Sequence, residues 1–187
     1  MSKRLFIAFE LPAVFKSRMR ILQEKIMAET GSEGIRWVSP ENMHITAAFL
    51  GQVKTENIPE IKKAMSSIDF KPVEITVSRP GFFMKRGIPA ILYMDVQNAG
   101  QLESRSIELR SRLADNAVHF DRKPFKAHIT IARLKKSSAA REVHHYVVNK
   151  LDKTEGGQYT IKSMVLYESA LTKNGSIYTE IYSNGEL

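Results

Sequence analysis

The sequence predicts a mixed fold of helices and strands in which one unit is used twice, giving two lobes that face each other. Three observations carry this. The tripeptide His-Ile-Thr occurs at His44-Ile45-Thr46 and again at His128-Ile129-Thr130, each time inside a short apolar run with the period-two alternation of a strand. A strand and a helix precede each copy at similar distances, with Phe6 to His44 spanning 38 residues and Leu92 to His128 spanning 36. No Gly/Ser-rich or low-complexity tract separates the copies, so residues 1–187 are expected to form a single two-lobed domain. One such unit leaves a sheet face uncovered, and two packed about a pseudo-two-fold axis would cover it and bring the histidines together.

The elements follow in order. Leu5 to Phe9 is an apolar strand. Pro12 stands at a first helical position, and Phe15, Met19, Leu22 and Ile26 continue at helical spacing to a stop near Gly31. Ile35 to Val38 is extended, Ser39-Pro40 turns, and Met43 to Leu50 is the first motif strand. Ile58, Ile61, Met65 and Ile68 line one face of a second helix, and strands are expected at Val73 to Val77 and Ile88 to Val96. Leu102, Leu109 and Leu113 mark a third helix, and Ala127 to Leu134 is the second motif strand. A fourth helix carries Val143, Val147 and Leu151. Strands Tyr159 to Leu171 and Ile177 to Tyr182 are joined through Lys173-Asn174-Gly175, a hairpin turn signal.

Composition narrows the function. At 187 residues and 43% hydrophobic the chain can bury a core without covalent staples. It has no cysteine, which excludes disulfides, thiolate metal sites and cysteine nucleophiles. The apolar run after the basic start ends at Glu10, too short for a signal peptide or a membrane span, so a soluble cytoplasmic protein with no membrane partner is expected. The 28 Lys and Arg against 20 Asp and Glu leave a formal charge of +8, which favours a polyanionic partner. Basic residues cluster at Arg79 to Arg86, Arg122 to Lys126 and Arg133 to Lys136, the last two flanking the second motif; taken singly they also read as ordinary solvated surface.

In a strand, residues i and i+2 share a face, so each motif sets an imidazole beside a hydroxyl. Two such strands face to face supply one imidazole to remove a proton, one to give a proton, and hydroxyls to hold non-bridging phosphate oxygens. A single His-Ile-Thr reads more simply as a hydrogen-bonded structural residue. The pair, at equivalent points of a repeated unit, points to catalysis by His44 and His128 with Thr46 and Thr130. The alternative is a structural duplication whose imidazoles bind only backbone. A metal on these histidines would need carboxylate neighbours, and neither motif strand contains one, so no metal and no other cofactor is expected. His144 and His145 are adjacent on a helix and point apart, and His119 stands alone. There is no phosphate-binding G-x-x-x-x-G-K-[ST] loop and no G-x-S-x-G elbow.

The two His-x-Thr-x segments, HITA at 44–47 and HITI at 128–131, resemble those of the two-histidine (2H) phosphoesterase superfamily. With RLFIAFELP (4–12), RWVSPENMHITAAFLG (36–51) and HITIARL (128–134), the whole chain resembles its bacterial and archaeal RNA 2′,3′-cyclic phosphodiesterases, also called 2′-5′ RNA ligases. The resemblance implies an α+β fold of two pseudo-symmetric lobes, each an antiparallel sheet with outer helices, facing across a central cleft. It implies hydrolysis of a 2′,3′-cyclic phosphate at an RNA 3′ end to a 2′-phosphate, with RNA 3′ ends, tRNA-like or other single-stranded RNA, as partner; no obligate protein partner is evident in the sequence. It places the proton donor on His44, the acceptor on His128, and phosphate contacts on Thr46, Thr130 and Arg133. Arg133 conflicts with strand parity, since an unbroken strand sends it to the face opposite His128, and a bulge or strand end is needed. Ala127 stands where many relatives have proline. Phe9 and Phe49 match positions where the family packs aromatics near the cleft, so both are candidate base contacts, core packing being the plainer reading. Rival readings are a phosphodiesterase for small cyclic nucleotides or 2′-5′ oligoadenylate, and a nucleotide- or RNA-binding module without turnover.

Overall fold

The computed structural model describes residues 1–151, 156–172 and 175–186. In chain order these give β1 (Ser2–Glu10), α1 (Ala13–Thr30), β2 (Ile35–Trp37), β3 (His44–Lys54), α2 (Ile58–Ser66), β4 (Val73–Lys85), β5 (Ile88–Gln97), α3 (Gly100–Asp115), β6 (His128–Leu134), α4 (Ser137–Asn149), β7 (Gly157–Ile161), β8 (Ser163–Thr172) and β9 (Gly175–Gly185). The strands form two antiparallel sheets, one in the order β3-β1-β8-β9 and one in the order β2-β6-β5-β4-β7. The fold is α+β, with its helices outside two lobes.

The repeat is visible in the pairing. β1 lies beside motif strand β3 with Glu10 opposite His44, and β5 lies beside motif strand β6 with Asp95 opposite His128. Helices α1 and α3, which follow β1 and β5, bury the apolar stripes read from their spacing: Phe15, Met19, Leu22 and Ile26 on one, Leu102, Leu109 and Leu113 on the other. One hydrophobic cluster draws residues from both sheets and all four helices.

The halves also exchange segments. The chain before the first motif supplies β2, which pairs with β6 of the other half, Ile35 opposite Leu134 and Trp37 opposite Ala132. In return, the loop before the second motif reaches β3, where the Asp121 amide donates to the Phe49 carbonyl at 2.8 Å. Each motif strand is thus completed by backbone from the opposite half.

Several elements differ from the expectations above. The apolar stretch Tyr159 to Leu171 is two strands, broken at Lys162: β7 closes the five-stranded sheet and β8 sits inside the four-stranded one. Because β8 has neighbours on both edges and Met164, Val165 and Leu166 are all buried, the alternation that would have marked the crossing is lost. β4 runs on to Lys85 and turns tightly through Arg86 and Gly87, both at positive φ, into β5, so Lys85 pairs with Ile88. Pro80 is accommodated at a register shift in β4. Pro12 is the cap rather than the first helical residue; its carbonyl accepts from the amides of Phe15 and Lys16. α4 ends at Asn149, leaving Leu151 buried beyond it. Of the expected turn, Lys173 and Asn174 lie outside the described residues, and the strands on either side pair from Thr172 opposite Gly175 onward. No helix among the described residues is long and apolar enough to cross a membrane.

Candidate active site

Both motif strands begin at their histidine. In each, the imidazole Nδ1 lies 2.7 Å from the backbone carbonyl two residues upstream, Asn42 for His44 and Lys126 for His128. A carbonyl can only accept, so Nδ1 carries the hydrogen and Nε2 is the nitrogen left for chemistry. The imidazoles do bind backbone, as the structural alternative supposed, but through one nitrogen each.

Ile45 and Ile129 are fully buried, which turns His44, Thr46, His128 and Thr130 to the opposite face, all half-buried. Among the described residues neither threonine hydroxyl has a hydrogen-bond partner, so both are open to a ligand. β3 and β6 lie close together, and the charge of His128 bears on His44.

Parity then breaks in the same place in both strands. Ala8 pairs with Thr46 and Ile7 with Ala48, so Ala47 is an extra residue; Tyr93 pairs with Thr130 and Leu92 with Ala132, so Ile131 is one too. The bulge places two buried residues in succession, Ala47-Ala48 and Ile131-Ala132, and returns the next side chain to the histidine face. That side chain is Phe49 in one strand and Arg133 in the other. The strand is not unbroken, and the guanidinium of Arg133 bears electrostatically on both imidazoles.

Aromatic rings surround each histidine. Phe6 and Tyr178 lie 4.8 and 5.5 Å from the His44 ring, with Tyr167 stacked on Phe6. Phe83 and Tyr93 lie 5.0 and 5.9 Å from the His128 ring and stack on each other at 4.2 Å, with the Lys126 ammonium over Phe83. Tyr93 lies against Gly81, where a Cβ would stand 2.9 Å from its ring. Phe9 is not part of this face: it is wholly buried, packed against Phe70 and Phe125 in the core. The register opposes Phe6, not Phe9, to Phe49, so Phe6 is the β1 aromatic beside His44, and Phe49 remains half-exposed on the same face.

Burial sets the electrostatics. Loss of water, then the charges of His128, Lys16 and Arg133, push the His44 pKa down to about 4 against the favourable Asn42 carbonyl. His128 is lowered as well, by burial first and then by Lys126 and Arg133, against the Lys126 carbonyl. Burial raises the Tyr167 phenol, helped by Glu10 and Glu180, and raises Tyr93, helped by Asp95. The carboxylates opposite the histidines are engaged elsewhere: Glu10 pairs with Lys16 at 3.2 Å, and Asp95 accepts from the Ser78 hydroxyl at 3.2 Å. Among the described residues, no three His, Cys, Asp or Glu side chains gather closely enough to hold a metal ion. Of the other histidines, His144 packs on Phe82 and His145 meets Asn149.

Two like lobes, each opening a strand with His-x-Thr onto a shared face, define the class of two-histidine phosphoesterases. The pattern described as LigT like Phosphoesterase matches residues 9–93 and again 94–178, and the chain belongs to that family. The two matches begin at equivalent points, Phe9 opposite Ile45 and Met94 opposite Ile129, each opposite the residue after the histidine. The chain is 29% identical to an RNA 2′,3′-cyclic phosphodiesterase of Archaeoglobus fulgidus over 95% of this chain and 97% of that one. It is 30% identical to the protein of the same name from Thermotoga maritima, over 96% and 93%. In fold it is similar to LigT of E. coli in its apo crystal structure, with a TM-score of 0.77 at 22% identity, covering 98% of this chain and 97% of that one.

Proposed function

We propose that the chain, as one two-lobed unit over residues 1–187, hydrolyses 2′,3′-cyclic phosphates at RNA 3′ ends to 2′-phosphates by metal-independent acid–base catalysis. The observation that carries this reading is the matched pair of imidazoles, each anchored through Nδ1–H to a backbone carbonyl and each keeping Nε2 for proton transfer. The names borne by the relatives from Archaeoglobus and Thermotoga support the substrate class.

In the proposed reaction, Nε2 of His128 takes a proton from water as its oxygen attacks phosphorus. The bond to the 3′ oxygen breaks on the opposite side, and that oxygen takes a proton from Nε2–H of His44, leaving a terminal 2′-phosphate. The hydroxyls of Thr46 and Thr130 and the guanidinium of Arg133 hold the non-bridging oxygens and oppose the charge that builds on them. Both imidazoles are depressed in the free protein, so the donor must gain its proton with the substrate; the phosphodiester anion supplies the opposing charge that favours imidazolium. Phe49, exposed beside His44 and backed by Phe6, offers a face on which a base can stack. With a 5′-hydroxyl in place of the water as nucleophile, the same pair would open the strained ring to form a 2′-5′ linkage without ATP.

The test is a synthetic RNA ending in a 2′,3′-cyclic phosphate, incubated with and without EDTA beside a cyclic mononucleotide. A 2′-phosphate product formed equally under chelation, with the oligonucleotide preferred, is the expected result. A 3′-phosphate would reverse the ring orientation, and activity lost to EDTA and restored by one divalent ion would end the metal-free reading. Preference for the mononucleotide would favour the small-substrate alternative.

A further inference from the structure

The two bulges that turn Phe49 and Arg133 onto the histidine face are each held by a buried polar side chain from the opposite half. Gln23 on α1 is 5% exposed, and its Nε2 donates to the carbonyl of the bulge residue Ile131 at 3.1 Å and to that of Val38 at 2.7 Å. Ser106 on α3 is fully buried, and its hydroxyl donates to the carbonyl of the other bulge residue, Ala47, at 2.8 Å. Arg110, one turn further along α3, joins it, with Nη2 donating to Ala47 at 3.3 Å and Nη1 to the Lys123 carbonyl at 2.7 Å. Gln23 and Ser106, with Ser163, are the only polar residues buried in the core among the described residues.

Their placement is not what helix packing alone requires. An apolar residue would fill either position, and burying an amide or hydroxyl is favourable only where it meets a partner. Both partners are carbonyls of the bulge residues, that of Ile131 also accepting from the Val38 amide at 2.9 Å, and the two devices are related by the repeat: the helix after β1 serves β6, and the helix after β5 serves β3. A one-residue change of register in β6 beyond Thr130 would send Arg133 to the other side of the sheet.

We infer that Gln23 and Ser106 are positioning residues, each fixing through a bulge carbonyl the register that aims Arg133 and Phe49 at the substrate. For Arg133 this rests on the reading that its guanidinium holds the substrate phosphate. The charges facing the imidazoles are His128, Lys16 and Arg133 for His44, and Lys126 and Arg133 for His128, so the position of Arg133 can be followed by NMR titration of both rings apart from catalysis.

The experiment compares Gln23→Met, which keeps shape but cannot donate, with Arg133→Ala and the double variant. Gln23→Met should raise both imidazole pKa values in the direction Arg133→Ala does, because a neighbouring cation has moved away. It should lower kcat/KM by roughly tenfold or more, and the double variant should be no worse than Arg133→Ala, as expected for residues acting as one unit. Unchanged titrations in folded Gln23→Met, or losses that simply multiply in the double variant, would overturn the inference. If the titrations move but Arg133→Ala leaves kcat/KM intact, the bracing stands and the phosphate role of Arg133 falls. Should Gln23→Met fail to fold, Gln23→Asn retains the buried amide on a shorter stem and must shift the same titrations; if it does not, the inference fails.

Discussion

Burying His44 among Phe6, Tyr178 and His128, beside the cations Lys16 and Arg133, should make the fold sensitive to mild acid in a measurable way. The unfolded chain binds a proton at this imidazole near 6.5, whereas the folded chain resists it down to about 4. Between those values the unfolded state holds more protons, so stability is fully present above 6.5 and is lost as pH falls towards 4, by about 3 kcal/mol in total. His44→Gln keeps a polar side chain at the site and removes the titration. Urea unfolding of both proteins at pH 7.0 and 4.5 reads this group together with its coupling to His128, every other titrating residue being common to the two. On acidification the wild type should lose about 2.5 kcal/mol more than His44→Gln, the part of the linkage lying between those two pH values. Losses equal within about 0.5 kcal/mol, roughly the error of such extrapolations, would show that His44 is not desolvated as described and would remove the basis for a substrate-driven uptake of its proton.

His44→Ala and His128→Ala should each lower turnover by about a hundredfold to ten-thousandfold in a folded protein, and the double variant should cost far less than the product of the two; near-normal turnover in either single variant removes that residue from the mechanism. A substrate with a strongly acidic phenol as leaving group should rescue His44→Ala much more than His128→Ala, and equal rescue would mean the donor and acceptor are exchanged. Thr46→Val or Thr130→Val should lower kcat by roughly tenfold to a thousandfold with little change in Tm, measured by calorimetry; a fall in Tm with turnover spared would make the hydroxyls structural. Because both imidazoles are lowered in the free protein, kcat/KM against pH should be bell-shaped with both limbs below 6.5, and a rate still rising above neutrality would contradict the pair.

The helices and motif strands were legible because each is amphipathic over several turns or pairs, and the repeat was legible because both halves keep it. What stayed hidden was register. β1 reads Leu-Phe-Ile-Ala-Phe without a polar break, so parity within it cannot be read from the sequence, and Phe9 looked as eligible for the cleft as Phe6 until pairing set Phe6 opposite Phe49. The bulges are equally silent in sequence: Ile131-Ala132 reads as ordinary apolar strand, and only the conflict between Arg133 and strict alternation signalled that one was required. Gln23 is silent in the sequence because a single polar residue beside an apolar helical stripe reads as its solvent edge; its role depends on a carbonyl 108 residues away. The crossing at Lys162 was lost for the same reason as the parity of β1, a strand buried on both faces.

The exchange of segments between halves governs the order in which the site can come into being. During synthesis the first motif emerges with β1 and α1 well before its counterpart, yet β2 must wait about a hundred residues, until Leu134 has been made, for the strand it pairs with. Closing so long a loop is entropically slow. Until then the Gln23 amide lacks the Ile131 carbonyl and the edge of β3 lacks the Asp121 amide, so the nascent half carries a complete His-Ile-Thr without a complete site. A gene encoding only one half would face the same deficit, and its product could meet it by pairing with a second copy and trading the segment before the motif, a reciprocal swap that the present chain performs with itself.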